Sequence, residues 1–365
     1  MKRHWLFLNC VFAASAVLSA CGGNVVVDGA DGDGGQGGGA IPTTPTTGQG
    51  GFGGQTPTAP TGTGGDASFA VRRLRVGDAK PDGTPSTTAW KSYGFNLDGK
   101  VSTKDSFDLC KPAKGAKPSI IYEDGEAGID NGFGKNVLPI VLALAADTSA
   151  TTNAYIEKGA YSILLQIQGV GAGQTGTFSS SAATAGFPPD QSPQWNGLDV
   201  WPVRSSSLFG GNPLNPKAKF PGSEVTLAGS GQRVWQSYGA GEMELILRTS
   251  DFDMKLPVRE LRMSAVLSDD NTKMTGGMIG GIIDAQAFVA ELANVAGSYD
   301  PSLCPPSATF ESIAQQIYQA QDILLDGTQD PDKTCDGISV GLGFDAEQAQ
   351  WGDAYGQSEP SGPCQ

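Results

Sequence analysis

Gly337-Ile338-Ser339-Val340-Gly341-Leu342-Gly343-Phe344 alternates apolar and minimal residues without a break. A period of two puts Ile338, Val340, Leu342 and Phe344 on one face of a strand and leaves Ser339, Gly341 and Gly343 on a second face that is nearly bare. A bare face lets another element or backbone pack closely against it. The same alternation recurs upstream. Tyr161, Ile163, Leu165 and Ile167 share a face, with Leu164 as the exception; Met243, Leu245 and Leu247 repeat the pattern, as do Phe252, Met254, Leu256 and Val258, then Leu261, Met263, Ala265 and Leu267. Turn residues at Thr249-Ser250-Asp251 and Asp269-Asp270-Asn271 separate successive runs, which predicts an antiparallel meander. The expected fold class is mainly β: an antiparallel, jelly-roll-like β-sandwich over residues 67–365.

Two segments leave the period of two. Asp284 suits the cap of a helix over 284–296 that carries Phe288, Val289, Leu292 and Val295 on one stripe and stops at Gly297. A second helix, over 309–325, follows Pro305-Pro306; Thr309 can cap it, Glu311 sits in its first turn, and Phe310, Ile313, Ala314, Ile317, Ala320 and Leu324 line its apolar face. Both amphipathic helices are expected to pack on the sheet. Lys135 to Ala146 suits either a buried strand or a short helix started around Pro139.

The chain of 365 residues carries a formal net charge of −14 and a single histidine, His4. Its first residues are a basic start (Lys2, Arg3), an apolar run from Trp5 to Val17 and then Leu18-Ser19-Ala20-Cys21. That pattern fits a secretory signal over 1–20, whose removal takes away two positive charges, His4 and Cys10. So acidic a balance argues against nucleic acid and anionic headgroups as partners. A mature chain without imidazole has no Ser-His-Asp or Cys-His mechanism and no His-ligated zinc site. Gly337-Ile338-Ser339-Val340-Gly341 has the spacing of a nucleophile elbow, but its serine sits within an alternating strand and no histidine follows.

Leu18-Ser19-Ala20-Cys21 resembles the lipobox of bacterial lipoproteins. The resemblance implies that Cys21 receives a diacylglyceryl group, that the signal is cut just before it, and that the new N-terminus is acylated with a fatty acid such as palmitate. Gly22, where such lipoproteins often carry aspartate for inner-membrane retention, implies the outer membrane. Residues 21–66 are then Gly, Thr and Pro rich, too poor in apolar surface to offset ordering entropy. As a flexible tether they would span roughly 35–40 Å. The remaining Cys110, Cys304, Cys335 and Cys364 read as two disulfides of an exported chain. Three connectivities are open; Cys304 with Cys335, clamping one helix between two loops, is the pairing to expect first.

Two acidic, glycine-punctuated stretches stand out. Asp98 in Asn96-Leu97-Asp98-Gly99, with Asp124, Asp130 and Asn131 in Tyr122 to Gly132, supplies hard oxygen ligands for a Ca²⁺ loop, and Asp330, Asp332 and Asp336 form a second candidate set. Neither has EF-hand spacing, and Asp with Gly also marks plain turns. With Phe95 to Gly99 and the ending from Cys335 to Phe344, these stretches resemble functionally uncharacterised lipoproteins of soil-dwelling gliding bacteria, the myxobacteria, over roughly residues 90–345; the resemblance carries no catalytic residue. Glu242 and Glu244, two apart on one strand, could stand roughly 6–7 Å apart, within the range that glycosidases use. Trp195, Trp201 and Trp235, among Gly, Pro and Asn, fit either the edge of the core or a surface on which sugars stack. The expected function is a lipid-anchored envelope protein that binds or adheres, with polysaccharide or another envelope protein as partner. A carboxylate-dependent glycosidase and a structural subunit of an envelope complex are the alternatives.

Overall fold

The computed structural model describes residues 65–237, 241–248, 253–356 and 364. The signal, Cys21 and nearly all of the tether lie outside the described residues, as does Phe252. Among the described residues, eleven strands make one mixed sheet. They are β1 (Ala67–Arg75), β2 (Ser162–Gln168), β3 (Gly176–Ala185), β4 (Val200–Arg204), β5 (Ala218–Leu227), β6 (Arg233–Gln236), β7 (Met243–Arg248), β8 (Asp253–Leu267), β9 (Lys273–Asp284), β10 (Gly337–Gln348) and β11 (Gln350–Tyr355).

The pairings correct the expected sandwich. β3 bonds β2 along one edge and β5 along the other, so β3, β2, β1, β10, β9, β8, β6 and β5 close into an antiparallel ring. An eight-stranded ring leaves an interior just wide enough for side chains to fill. Here Phe69, Leu165, Phe178, Phe220, Trp235, Met263, Ile279 and Phe344 belong to one continuous buried core. β8 is long enough, at 15 residues, to pair β6 through its end and β7 through its beginning. β4 extends from the far end of β3, and β11 adds to it in parallel. Trp201 and Val203 of β4 pack with Leu164, Ala70 and Ala183 in a separate apolar cluster. Leu164 breaks the alternation because its strand is covered on both faces.

The bare face of β10 is covered as well. A Cβ built on Gly341 would stand 2.1 Å from the Tyr93 carbonyl oxygen, and one on Gly343 would stand 2.5 Å from the Tyr93 ring. On the neighbouring strand, a Cβ on Gly280 would come within 2.6 Å of the Phe95 ring. Glycines on two adjacent strands thus make room for the chain from Tyr93 to Phe95. Asn131 fastens it down: its side-chain amide donates to the carbonyls of Trp90, Tyr93 and Gly341, and its oxygen accepts from Gly134 and Gly341 N–H.

The helices are α1 (Pro118–Ile121), α2 (Leu138–Leu144), α3 (Thr148–Glu157), α4 (Ala285–Tyr299) and α5 (Ala308–Tyr318). α2 settles the ambiguous stretch as a helix with proline in its first turn, where the missing N–H costs nothing. Asp284 caps α4 through Gln286 and Ala287 N–H. α4 packs on β8, whereas α5 lies against α4. Ser307, not Thr309, caps α5, and the helix ends at Tyr318 rather than 325. Asp322 N–H donates to the Gly337 carbonyl, and Gly337 N–H donates to Ile323 in return, so pairing with the start of β10 replaces the last turns.

Candidate functional site

Laying the loop across β10 encloses carboxylates. Asp130 is buried and accepts from Leu97 N–H at 2.6 Å and Asp98 N–H at 3.3 Å. Asp124 accepts from Ser102 N–H, and Asp98 from Lys100 N–H and the Gln329 amide. Asp322 joins them, held by Ser339 through both its N–H and its hydroxyl. Burial, reinforced by the other aspartates, holds the Asp130 carboxyl well above the usual range. Burial is also the main cause that pushes Asp124 up to about 7 and Asp322 up to about 6, each pulled partly back by its hydrogen bonds. Two cations stand nearby. Burial draws the Lys135 ammonium down against the pull of Glu123, Asp322 and Asp124; Arg262 donates to the Asn96 and Leu97 carbonyls.

The first expected calcium set is therefore brought into one neighbourhood only in part. Asn131 is spent on backbone, with both of its oxygen's acceptor positions filled. The second set is not gathered. Asp330 accepts from Asp332 N–H and pairs with Lys333, while Asp336 accepts from Leu325 N–H. Among the described residues, no three His, Cys, Asp or Glu side chains form a group that could hold one metal ion. Sequence reasoning passed over Asp322; its one signal is a lone acid directly before the apolar run Ile323-Leu324-Leu325. Ser339, the serine of the elbow-like motif, lies near the start of β10 and is fully buried, bonding Asp322 and Gly132 N–H.

A cluster of raised carboxylates holds protons that the unfolded chain releases. Its contribution to stability is fully present below about pH 4, the unfolded value, and is lost as pH rises through 6 and 7. The depressed groups, Asp82, Asp108, Asp270, Asp300, Asp326 and Asp330, act with the opposite sign, and only below the ordinary carboxylate range. Tm should therefore rise by roughly 10 °C from pH 7.5 to pH 5, at about 1.4 kcal/mol per pKa unit and 2–4 °C per kcal/mol. Asp130→Asn keeps the acceptor and removes the charge. It should raise Tm at pH 7.5 and flatten the profile; a melting profile unchanged by the substitution would contradict this reading.

An open cleft lies elsewhere on the molecule. It holds about 540 Å³ and is lined by Phe209, Lys217, Gly241, Glu242, Arg259, Glu260, Leu325 and Asp326. The register between β8 and β9 shifts between Arg259 and Arg262, and Glu260 there takes a left-handed φ of 48°. Such a bulge bends the strand and re-aims its side chains. The Arg259 guanidinium stands 3.7 Å from the Glu242 carboxylate. Phe209, just beyond β4, remains 55% exposed.

Glu242 and Glu244 do not share this site. Glu242 lines the cleft, whereas Glu244 lies near the buried Tyr161 phenol. The tryptophans divide too. Trp235 is fully buried in the main core, and Trp201 is fully buried against Phe187 and Trp195. This corrects their expected role in stacking a ligand: each fills an apolar layer. Trp195 is half-buried, with Arg72 over its ring at 5.1 Å and its indole N–H donating to the Glu157 carbonyl. The cysteine pairing is corrected as well. Cys110 bonds Cys335, and Cys304 bonds Cys364. The Lys111–Thr334 bridge sets Cys110 beside Cys335, which leaves Cys304 to the C-terminal segment.

No family model, no curated protein and no solved structure matches the chain.

Proposed function

We propose that the chain is a lipid-anchored binding module of the cell envelope, held in the outer membrane through Cys21, and that it takes carbohydrate in the cleft around Phe209. One observation carries this reading: an exposed aromatic ring shares an open cleft with Glu242, Glu260, Asp326, Lys217 and Arg259. A sugar offers an apolar face for the ring and hydroxyls for charged hydrogen-bonding groups, so this composition fits it better than it fits an apolar ligand. The residual charge of the enclosed aspartates is met by protons in this reading; Ca²⁺ is the competing neutraliser, and a Tm that falls with chelator at pH 7.5 would favour it.

A screen for retention on polysaccharide matrices, with reducing ends measured in parallel, tests the reading. Retention without turnover is expected. Release of reducing ends that is lost in Glu242→Gln and in Glu244→Gln would favour the glycosidase. Neither retention nor release, with co-purification of an envelope protein, would favour a structural subunit. The anchor has its own test. Labelled palmitate should enter the wild-type chain and not Cys21→Ala, and label persisting in that variant would refute the anchor.

A further inference from the structure

The overall charge of −14 conceals one basic segment. Residues 100–120 hold five lysines against two aspartates. They fold as a small lobe with a core of its own, in which Leu109, Ile121 and Tyr122 are buried together. Tyr122 donates its hydroxyl to the Cys110 carbonyl, Asp124 and Ser102 bond each other's segments, and the Cys110–Cys335 disulfide staples the lobe to the loop before β10. With that interior satisfied, the lobe still turns apolar side chains outward. Phe107 is 90% exposed, Val101 69% and Ile120 48%.

Lys104, Lys114 and Lys117 are exposed on the same lobe and make no ion pair among the described residues. Lys100 pairs with Asp108, and Lys111 donates to the Asp332 carbonyl. Three unpaired ammonium groups and three outward apolar side chains on one short segment have one natural counterpart: a layer of phosphates over hydrocarbon. The ammonium groups meet the phosphates while the ring and aliphatic chains enter the boundary beneath. An acidic protein surface would match the lysines but would leave Phe107 without its depth.

We propose that this lobe docks on the anionic surface of a bilayer, with Phe107 as the inserted side chain and Lys104, Lys114 and Lys117 as the phosphate contacts. The docking is independent of the carbohydrate reading, since the lobe contributes no residue to the cleft. It also revises the expectation, drawn from net charge alone, that anionic headgroups are excluded.

Hydrogen exchange on the full chain tests it locally, so that attachment through Cys21 contributes equally in every arm. The chain is reconstituted in phosphatidylcholine vesicles with and without phosphatidylglycerol, and exchange of peptides within residues 100–120 is followed. Exchange should slow by about tenfold when phosphatidylglycerol is present. In Lys104→Glu/Lys114→Glu/Lys117→Glu it should return to the neutral-vesicle rate, and Phe107→Ser should lose most of the protection; unchanged exchange elsewhere in both variants shows that they are folded. Equal exchange on the two vesicle types overturns the proposal. So does protection that arises without lipid as protein concentration rises, which would make the lobe a contact between copies of the chain.

Discussion

Gly341→Ala is expected to destabilise the chain by about 3–5 kcal/mol, among the largest effects of any single-methyl addition. The new Cβ would meet the Tyr93 carbonyl at 2.1 Å and the Gly94 Cα at 2.8 Å, and both are backbone atoms that cannot rotate away. To relieve the clash the loop must lift from β10. That strains the buried bonds through which Asn131 ties Tyr93, Trp90 and Gly341 together. Gly222→Ala is the control: nothing lies within 4 Å of its Cβ position, so the change should stay within about 0.5 kcal/mol. Thermal melting of the two variants compares them directly. If Gly341→Ala melts with the control, the loop is not pressed on the strand as described.

The second large effect concerns Cys110–Cys335, which closes a sequence separation of 225 residues, against 60 for Cys304–Cys364. By chain entropy the longer closure contributes about 5 kcal/mol and the shorter about 4. The difference should be widened by position. Cys110 and Cys335 are both buried beside Leu324, and their bond holds the basic lobe against the strand that carries Ser339. Cys110→Ser/Cys335→Ser should therefore lower Tm more than Cys304→Ser/Cys364→Ser and should release the lobe to fast hydrogen exchange. The reverse order would contradict the placement of the lobe.

The strands were legible because alternation is a local property. Ile338 to Phe344 declared both a buried face and a face waiting for backbone, and Tyr93 to Phe95 fill it. Closure of the ring was not legible. A strand in a sandwich and one in a small barrel each bury one face, so the residues of β3 read alike whether β5 lies across from them or beside them. The end of α5 was misread for a related reason. Ala320 and Leu324 continue the helical spacing, yet the N–H groups there find a better partner in Gly337, far along the chain. Trp201 and Trp235 sit among the same Gly, Pro and Asn that surround a binding aromatic, and only burial separates the two uses. Phe209, the ring that does reach solvent in a cleft, was passed over because it belongs to no periodic run: Leu208 beside it is buried, and glycines follow. The acidic loops showed their charge but not their enclosure. Asp124 and Asp130 are set apart from Asp330 and Asp332 by the glycines of β10, not by any difference in local pattern.

The carbohydrate reading places the ligand at Phe209 rather than on the tryptophans, and affinity electrophoresis through gels cast with the retaining polysaccharide separates the two. Phe209→Ala should reduce affinity by about tenfold, the worth of one lost stacking contact. Trp195→Ala, which removes the Arg72 and Glu157 contacts and the ring packed on Trp201 but none of the cleft lining, should leave it within about twofold. Retention that survives Phe209→Ala and disappears in Trp195→Ala would contradict the cleft as the binding site.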